Sequence, residues 1–273
     1  MPLFMTISGF FYANKKSFVD ILSSRFTKLL LPALCWSLIC CILAYLIPIN
    51  IGGAFYVNVF WFLKSAFLCS IIYAIVAHNR ILLILSLVTS QFISIYQFWY
   101  MYPFFVLGAY IKNNFDIFQQ NIAKILLICG SMFLLMLVFW DSTFWQYNLI
   151  YTNNNETIKT LNYIYIRVYR LLIGILGSVS FIALFRYLAQ HIKQTIVGDK
   201  ICECGRHTLG IYILQTFILE LILRRCLNFD NYNFYVFNVI IAPIISTFVL
   251  IFCLLLIKII HHSKWASRFL LGE

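Results

Sequence analysis

The sequence predicts an all-α polytopic membrane protein, a helical bundle of about eight to nine transmembrane segments. Three observations predict it. Of 273 residues, 63% are hydrophobic and only 11% are charged, and the mean hydropathy is +0.90, far above an ordinary globular domain. The apolar runs are long enough to cross a bilayer. No Gly/Ser/Pro-rich linker or long polar stretch interrupts them, so residues 1–273 read as a single membrane domain with no separate soluble catalytic domain.

Taken in order, the apolar segments run over about 1–13, 29–48, 58–77, 81–96, 98–112, 122–140, 163–186, 207–224 and 236–258. The first falls short of the roughly 20 residues of a crossing. Pro2 follows Met1 directly, with no charged stretch before it and no small-residue cleavage site after it, so it reads as the end of a membrane helix rather than a signal peptide. A basic elbow with Lys15, Lys16, Arg25 and Lys28 leads to the next helix. Trp61, Trp99, Tyr100, Tyr102, Trp140, Trp145 and Tyr147 lie near segment ends, where aromatic rings favour the headgroup level.

The net charge of +11 is spread through short loops, with no basic helix and no nucleic-acid motif, which argues against a nucleic-acid partner. Sorted by side, the charges are a topology signal. One set of loops and flanks carries fourteen cations (Lys15, Lys16, Arg25, Lys28, Arg80, Lys112, Lys124, Arg186, Lys193, Lys200, Arg206, Lys258, Lys264, Arg268), and the other carries Lys159, Arg224 and Arg225. This asymmetry places the C-terminus in the cytoplasm. It also places Met1 outside, which an upstream helix would explain. Nine cysteines, mostly within apolar runs, behave as small hydrophobes and describe no disulfide framework. In the longest outer loop, Asp141 to Asn162, the Asn155-Glu156-Thr157 glycosylation pattern is expected by chance.

Several polar residues could carry chemistry. Arg25 and Lys28, three apart, would share one face of a helix at the cytoplasmic interface and could grip phosphates; interfacial anchoring is the plainer account. Lys64 lies within an apolar span, where a cation must face the bundle interior or reach for the interface. Arg167 and Arg170, again three apart, could bind an anion, polarise a hydroxyl or stabilise an oxyanion. The alternative is an ion pair with Glu220, which is itself four residues from Arg224. Tyr212 and Gln215 follow in the run Gly205-Arg206-His207-Thr208-Leu209-Gly210-Ile211-Tyr212-Ile213-Leu214-Gln215, and Gln215 can hydrogen-bond a sugar but cannot act as a base near neutral pH. Cys202-Glu203-Cys204 with His207 lacks the usual zinc spacing, so no metal site is expected. His78, His261 and His262 read as loop and tail residues.

The runs MPLFMTISGFFY, Arg25-Phe26-Thr27-Lys28 and LLLPALCW resemble internal motifs of the acyltransferase-3 family. So do Trp61-Phe62-Leu63, the run Tyr100 to Tyr110 (in which Gly108 and Ala109 look like close-packing positions), the Gly205 to Gln215 run and the closing Leu270-Leu271-Gly272. The resemblance implies an integral-membrane O-acyltransferase of the bacterial inner membrane. It would pass an acyl group, most often acetyl, from cytoplasmic acyl-CoA to a hydroxyl of a cell-surface or lipid-linked glycan. Acyl-CoA (acetyl-CoA) would be a co-substrate, with no bound cofactor, and Arg25 and Lys28 would hold it at the family's Arg-x-x-Arg position. Lys28 replaces the second Arg there, and Gln215 stands where a His is usual. The family's catalytic His, with an Arg, lies on a helix just before the segment like MPLF. That helix would precede Met1, so the catalytic residue in this sequence is unknown, and the chain is expected to be N-terminally truncated relative to the family and inactive by itself. Ten spans with both ends cytoplasmic is the arrangement the resemblance implies. A polytopic transporter or flippase of a glycan or lipid precursor is the alternative. It draws on the intramembrane cations but lacks the internal repeat many transporters show. A non-catalytic remnant is a third reading. Acceptor, acyl chain and oligomeric state are not encoded in these patterns.

Overall fold

The structure is a computed structural model and describes residues 1–12, 18–46, 60–93, 95–140, 157–192, 196–219 and 237–272. Among the described residues all regular structure is helical. In chain order the helices are α1 (Pro2–Phe10), α2 (Phe18–Arg25), α3 (Leu31–Leu46), α4 (Trp61–Val76), α5 (Arg80–Ser90), α6 (Phe98–Asn113), α7 (Phe115–Gln120), α8 (Ile122–Val138), α9 (Thr157–Ile192), α10 (Ile196–Arg206), α11 (Thr208–Phe217), α12 (Ala242–His261) and α13 (Lys264–Ala266). A 3-10 turn covers Ile95–Gln97, and π-turns cover Phe26–Leu30, Phe237–Ile241 and Ser267–Leu271.

Three stretches are long and apolar enough to cross a membrane alone: Phe18–Ile42, Ile164–Ala189 and Val239–His261. The segments expected near 58–77, 81–96, 122–140 and 207–224 form shorter apolar helices, Trp61–Val76, Arg80–Ser90, Ile122–Val138 and Thr208–Phe217. The chain is therefore an all-helical membrane protein, with three full-length crossings among the described residues where eight to nine spans were expected.

Four boundaries differ from the sequence reading. The basic elbow expected at 14–28 contains α2, which continues through the first π-turn into α3; Asp20 in its first turn and Arg25 in its last match the helix dipole. The helix expected to reach residue 96 ends at Ser90. Helix α9 begins at Thr157, inside the expected outer loop, and α10 forms within the loop expected at 187–206. Lys15, Lys16, Trp145, Tyr147, Asn155, Glu156, Lys193, Glu220, Arg224 and Arg225 lie outside the described residues, and with them the Glu220 pairing and the glycosylation pattern.

The chain divides into two compact units, one of Met1–Asn14 and Val76–Lys193, the other of Lys15–Ile75 and Gln194–Glu273. In the first, α1 and α6 meet backbone to backbone. A Cβ at Gly9 would collide with the Phe105 carbonyl, and one at Gly108 with the Thr6 carbonyl. The two glycines are thus reciprocal, each admitting the other helix's main chain, which is the packing role expected for Gly108. Ala109 beside it is 5% exposed. Helix α8 lies along α9 through Phe133, whose ring fills the space above Gly177. Ile111, Phe118, Ile122 and Ala183 form a buried cluster joining α6, α7, α8 and α9.

In the second unit α3 holds the C-terminal turn. The Trp36 indole Nε1 donates to the Leu270 carbonyl at 2.9 Å, and the Leu271 side chain is fully buried. Gly272 ends the last π-turn at φ +74°, a left-handed conformation that glycine adopts without strain. A Cβ there would stand 2.5 Å from the Lys28 carbonyl oxygen, so only glycine brings this turn against the Phe26–Leu30 π-turn. Helix α11 joins the same core, Gly210 facing Leu271 and Ile257 and Phe217 tilted against Trp36 at 5.2 Å between ring centroids.

Gly108→Ala is expected to lower the thermal unfolding midpoint in detergent and to cost about 2 kcal/mol or more, because the added carbon meets backbone that cannot rotate away. Gly130→Ala, where an added carbon meets nothing within 4 Å, is expected to be neutral or to stabilise by up to ~1 kcal/mol. Melting the two variants side by side checks both.

Candidate functional site

In the first unit the arginines expected from sequence stand one turn apart on α9 and meet consecutive aromatic residues at the start of α6. The Arg167 guanidinium lies 3.9 Å from the centroid of the Trp99 ring, and that of Arg170 lies 5.1 Å from the centroid of Tyr100. Trp99 and Tyr100 are buried, and Arg170 is only 6% exposed. Each cation thus rests on the electron-rich face of a ring, worth about 0.5–2 kcal/mol depending on desolvation.

The turn before α6 aims these rings. Helix α5 closes at Ser90, and the chain reverses through Tyr96 (φ 49°) and Gln97 (φ 55°), two non-glycine residues in the left-handed region. That conformation costs of order 1–3 kcal/mol per residue and is held only by its surroundings. Part of the support is visible: the Gln91 amide nitrogen donates to the Trp99 carbonyl at 3.2 Å, the Trp99 N–H donates to the Ile93 carbonyl at 3.1 Å, and Arg167 Nη1 donates to the Gln91 carbonyl at 3.4 Å. One turn into α6, the Tyr102 hydroxyl shares a hydrogen bond with Ser86 at 2.8 Å. The result is a wall of two guanidinium groups, two aromatic rings and an amide. Such a wall can stack a sugar ring or orient an anionic or hydroxyl-bearing ligand.

In the second unit Arg25 closes α2, half-buried, and Lys28 is exposed inside the π-turn. The sequence expectation of a shared α-helical face is altered here, since a π-turn is wider than an α-turn and spreads the pair further around the axis. Turns of this kind are frequent at functional sites. Lys64, half-buried in α4, lies two residues from Phe62, whose ring meets that of Tyr212 at 5.4 Å. Gln215 is half-buried one turn beyond Tyr212. Phe62 and Tyr212 thus bring α4 and α11 together at one point, while Lys64, two residues on from Phe62, lies on a different face of α4; Arg167 and Arg170 stand together in the other unit.

The Cys202-Glu203-Cys204-His207 run makes no metal cage: among the described residues no group of three or more His, Cys, Asp or Glu is arranged to hold an ion. His207 instead packs edge-on against His261 at 5.3 Å. Glu203 bridges Lys200 at 3.0 Å and approaches Lys258 at 3.9 Å. His78 and His262 are exposed.

The hydrogen bond and charge of Lys200 hold the Glu203 carboxyl below its usual value of 4.5. The bridge is therefore complete above about pH 4.5 and is lost as the pH falls through the lowered value. Lys200 is largely in solvent, so Glu203→Gln is expected to leave thermal unfolding at pH 7 and 0.15 M salt unchanged within error. At the arginine wall a double-mutant cycle on Arg167→Ala and Trp99→Ala is expected to give a coupling of about 1 kcal/mol in thermal stability. Additive losses would remove the stacking interaction.

No curated protein and no solved structure matches the chain. A family model does: the acyltransferase domain of the acyltransferase-3 family matches residues 1–258. The match includes both arginines of the α9 wall, the π-turn with Arg25 and Lys28, and the α11 segment with Tyr212 and Gln215. The chain belongs to the acyltransferase-3 family, an integral-membrane group of acyl-transferring enzymes.

Proposed function

We propose that the protein is an O-acyltransferase that moves an acyl group, typically acetyl, from acyl-CoA on the cytoplasmic side to a hydroxyl of a cell-surface or lipid-linked glycan. The observation that carries this reading is the family match across residues 1–258. The two groups of cations support it, since a transferase of this kind must hold a phosphate-rich donor and a hydroxyl-rich acceptor.

Arg25 and Lys28 are the donor-binding pair. Arg25 offers a planar fork and Lys28 a mobile ammonium to the phosphates of CoA, and the π-turn that follows Arg25 and carries Lys28 is braced from behind by Gly272. Arg167, Arg170, Trp99 and Tyr100 suit the acceptor: ring faces stack on a sugar while guanidinium N–H groups donate to its oxygens. Lys64, Tyr212 and Gln215 are further polar contacts for the reacting ends. Transfer needs a base for the acceptor hydroxyl and a positive group for the thioester oxyanion. A bacterial inner membrane location with a cytoplasmic C-terminus completes the proposal.

Purified protein in nanodiscs is expected to bind acetyl-CoA saturably, and dephospho-CoA more weakly. Arg25→Ala should raise the Kd about tenfold, the loss of one charge-assisted contact, while Arg170→Ala leaves it unchanged. Binding that does not saturate, or that is indifferent to Arg25, would sink the donor assignment.

A further inference from the structure

Within the second unit a groove of about 180 Å³ opens between α10 and α12. The α12 residues that line it, Ile251, Leu254, Leu255 and Lys258, recur at i, i+3, i+4 and i+7 and so form one stripe of the helix. The stripe is apolar until it ends in a cation. Lys200 and Glu203 of α10 also line the groove. They belong to the same end, because the Glu203 carboxylate bridges Lys200 at 3.0 Å and approaches Lys258 at 3.9 Å.

The two ammonium groups are within reach of a ligand, since the Lys200 and Lys258 side chains are 71% and 68% exposed. One carboxylate between two cations leaves an excess of positive charge. At 3.9 Å Lys258 makes no hydrogen bond to that carboxylate, and the Lys200 ammonium gives it one of three donor hydrogens. Depth says what could use them. The Val239–His261 crossing has 23 residues, ~35 Å at 1.5 Å per residue, against about 30 Å of hydrocarbon. Lys258 lies in its last turn, where a lysine stem reaches for the phosphate level. Ile251 lies ~15 Å from that end, at the depth of acyl chains.

We propose that this groove seats an anionic glycerophospholipid, its phosphodiester held between Lys200 and Lys258 and one acyl chain laid along Ile251, Leu254 and Leu255. A basic pocket between membrane helices suits such a headgroup. Free phosphate would meet the cations and leave the apolar stripe bare, and a zwitterionic lipid would bring a cation of its own against the lysines. At ~30 Å³ for a water-sized group the groove holds roughly six such groups. That is the upper part of one chain. Glu203 opposes the phosphate, because its carboxylate faces the same two ammonium groups. The bound lipid ties α10 to the end of the α12 crossing.

The test titrates the full chain, in a neutral detergent, with phosphatidylglycerol and reads bound lipid by native mass spectrometry. One phosphatidylglycerol is expected to bind saturably, with phosphatidylcholine about tenfold weaker. Lys200→Gln and Lys258→Gln should each weaken binding about fivefold, the effect of one lysine on an anionic headgroup. Glu203→Gln should tighten it by a similar factor. Lys264→Gln removes a positive charge outside the groove and should change nothing, and inorganic phosphate should not compete. Leu255 is 54% exposed, so Leu255→Trp should crowd out the chain and lower binding in protein that melts as before. Equal binding of phosphatidylcholine, displacement by inorganic phosphate, or a loss on Lys264→Gln as large as that on Lys200→Gln would each overturn the lipid seat. So would weaker binding by Glu203→Gln or unchanged binding by Leu255→Trp.

Discussion

Inside an apolar helix a polar group must find its partner within the protein, because the bilayer offers none. Much of this chain's architecture answers that demand. Hydroxyls fold back onto carbonyls of the preceding turn, as Ser37 does on Ala33 and Thr216 on Tyr212. The Trp36 indole finds the Leu270 carbonyl. Arg167 and Arg170, the costliest groups to place at depth, spread their charge over ring faces and a backbone oxygen.

The arginine wall depends in turn on how closely the helices approach. Gly9 and Gly108 let α1 and α6 touch main chain to main chain, which fixes where the first turn of α6 begins. At Gly174 an added Cβ would stand 2.6 Å from the Phe104 ring and 3.4 Å from the Tyr100 hydroxyl, so the same economy of atoms lets α9 bring Arg170 onto Tyr100. The strained pair Tyr96–Gln97 then turns Trp99 inward. Glycine at three contacts and strain at one turn thus define the geometry of a single wall.

Much of this was legible in the sequence. The helical class followed from apolar run lengths, the close-packing role of Gly108 from its small neighbour, and the family from ordered motifs along most of the chain. The α9 arginines were visible as cations where cations are expensive. Their aromatic partners were visible only as interfacial rings, because nothing in linear order links residues 99 and 167. The reversal at Tyr96 and Gln97 was hidden for a different reason: neither is glycine or asparagine, so the usual marks of a left-handed turn are missing. The π-turn at Phe26–Leu30 carries no compositional mark either, and it changes what a three-residue spacing means for Arg25 and Lys28.

The bond from Trp36 to Leu270 joins positions 234 residues apart. At a ribosomal pace of ~5–20 residues per second, α3 waits roughly ten to fifty seconds before its indole partner exists. Until then the Phe26–Leu30 turn has no Gly272 behind it and Trp36 must be tolerated by lipid or by a chaperone. Closure of the second unit is therefore a late, post-insertion event, and it is the step most exposed to premature termination or to a bulky fusion after Gly272.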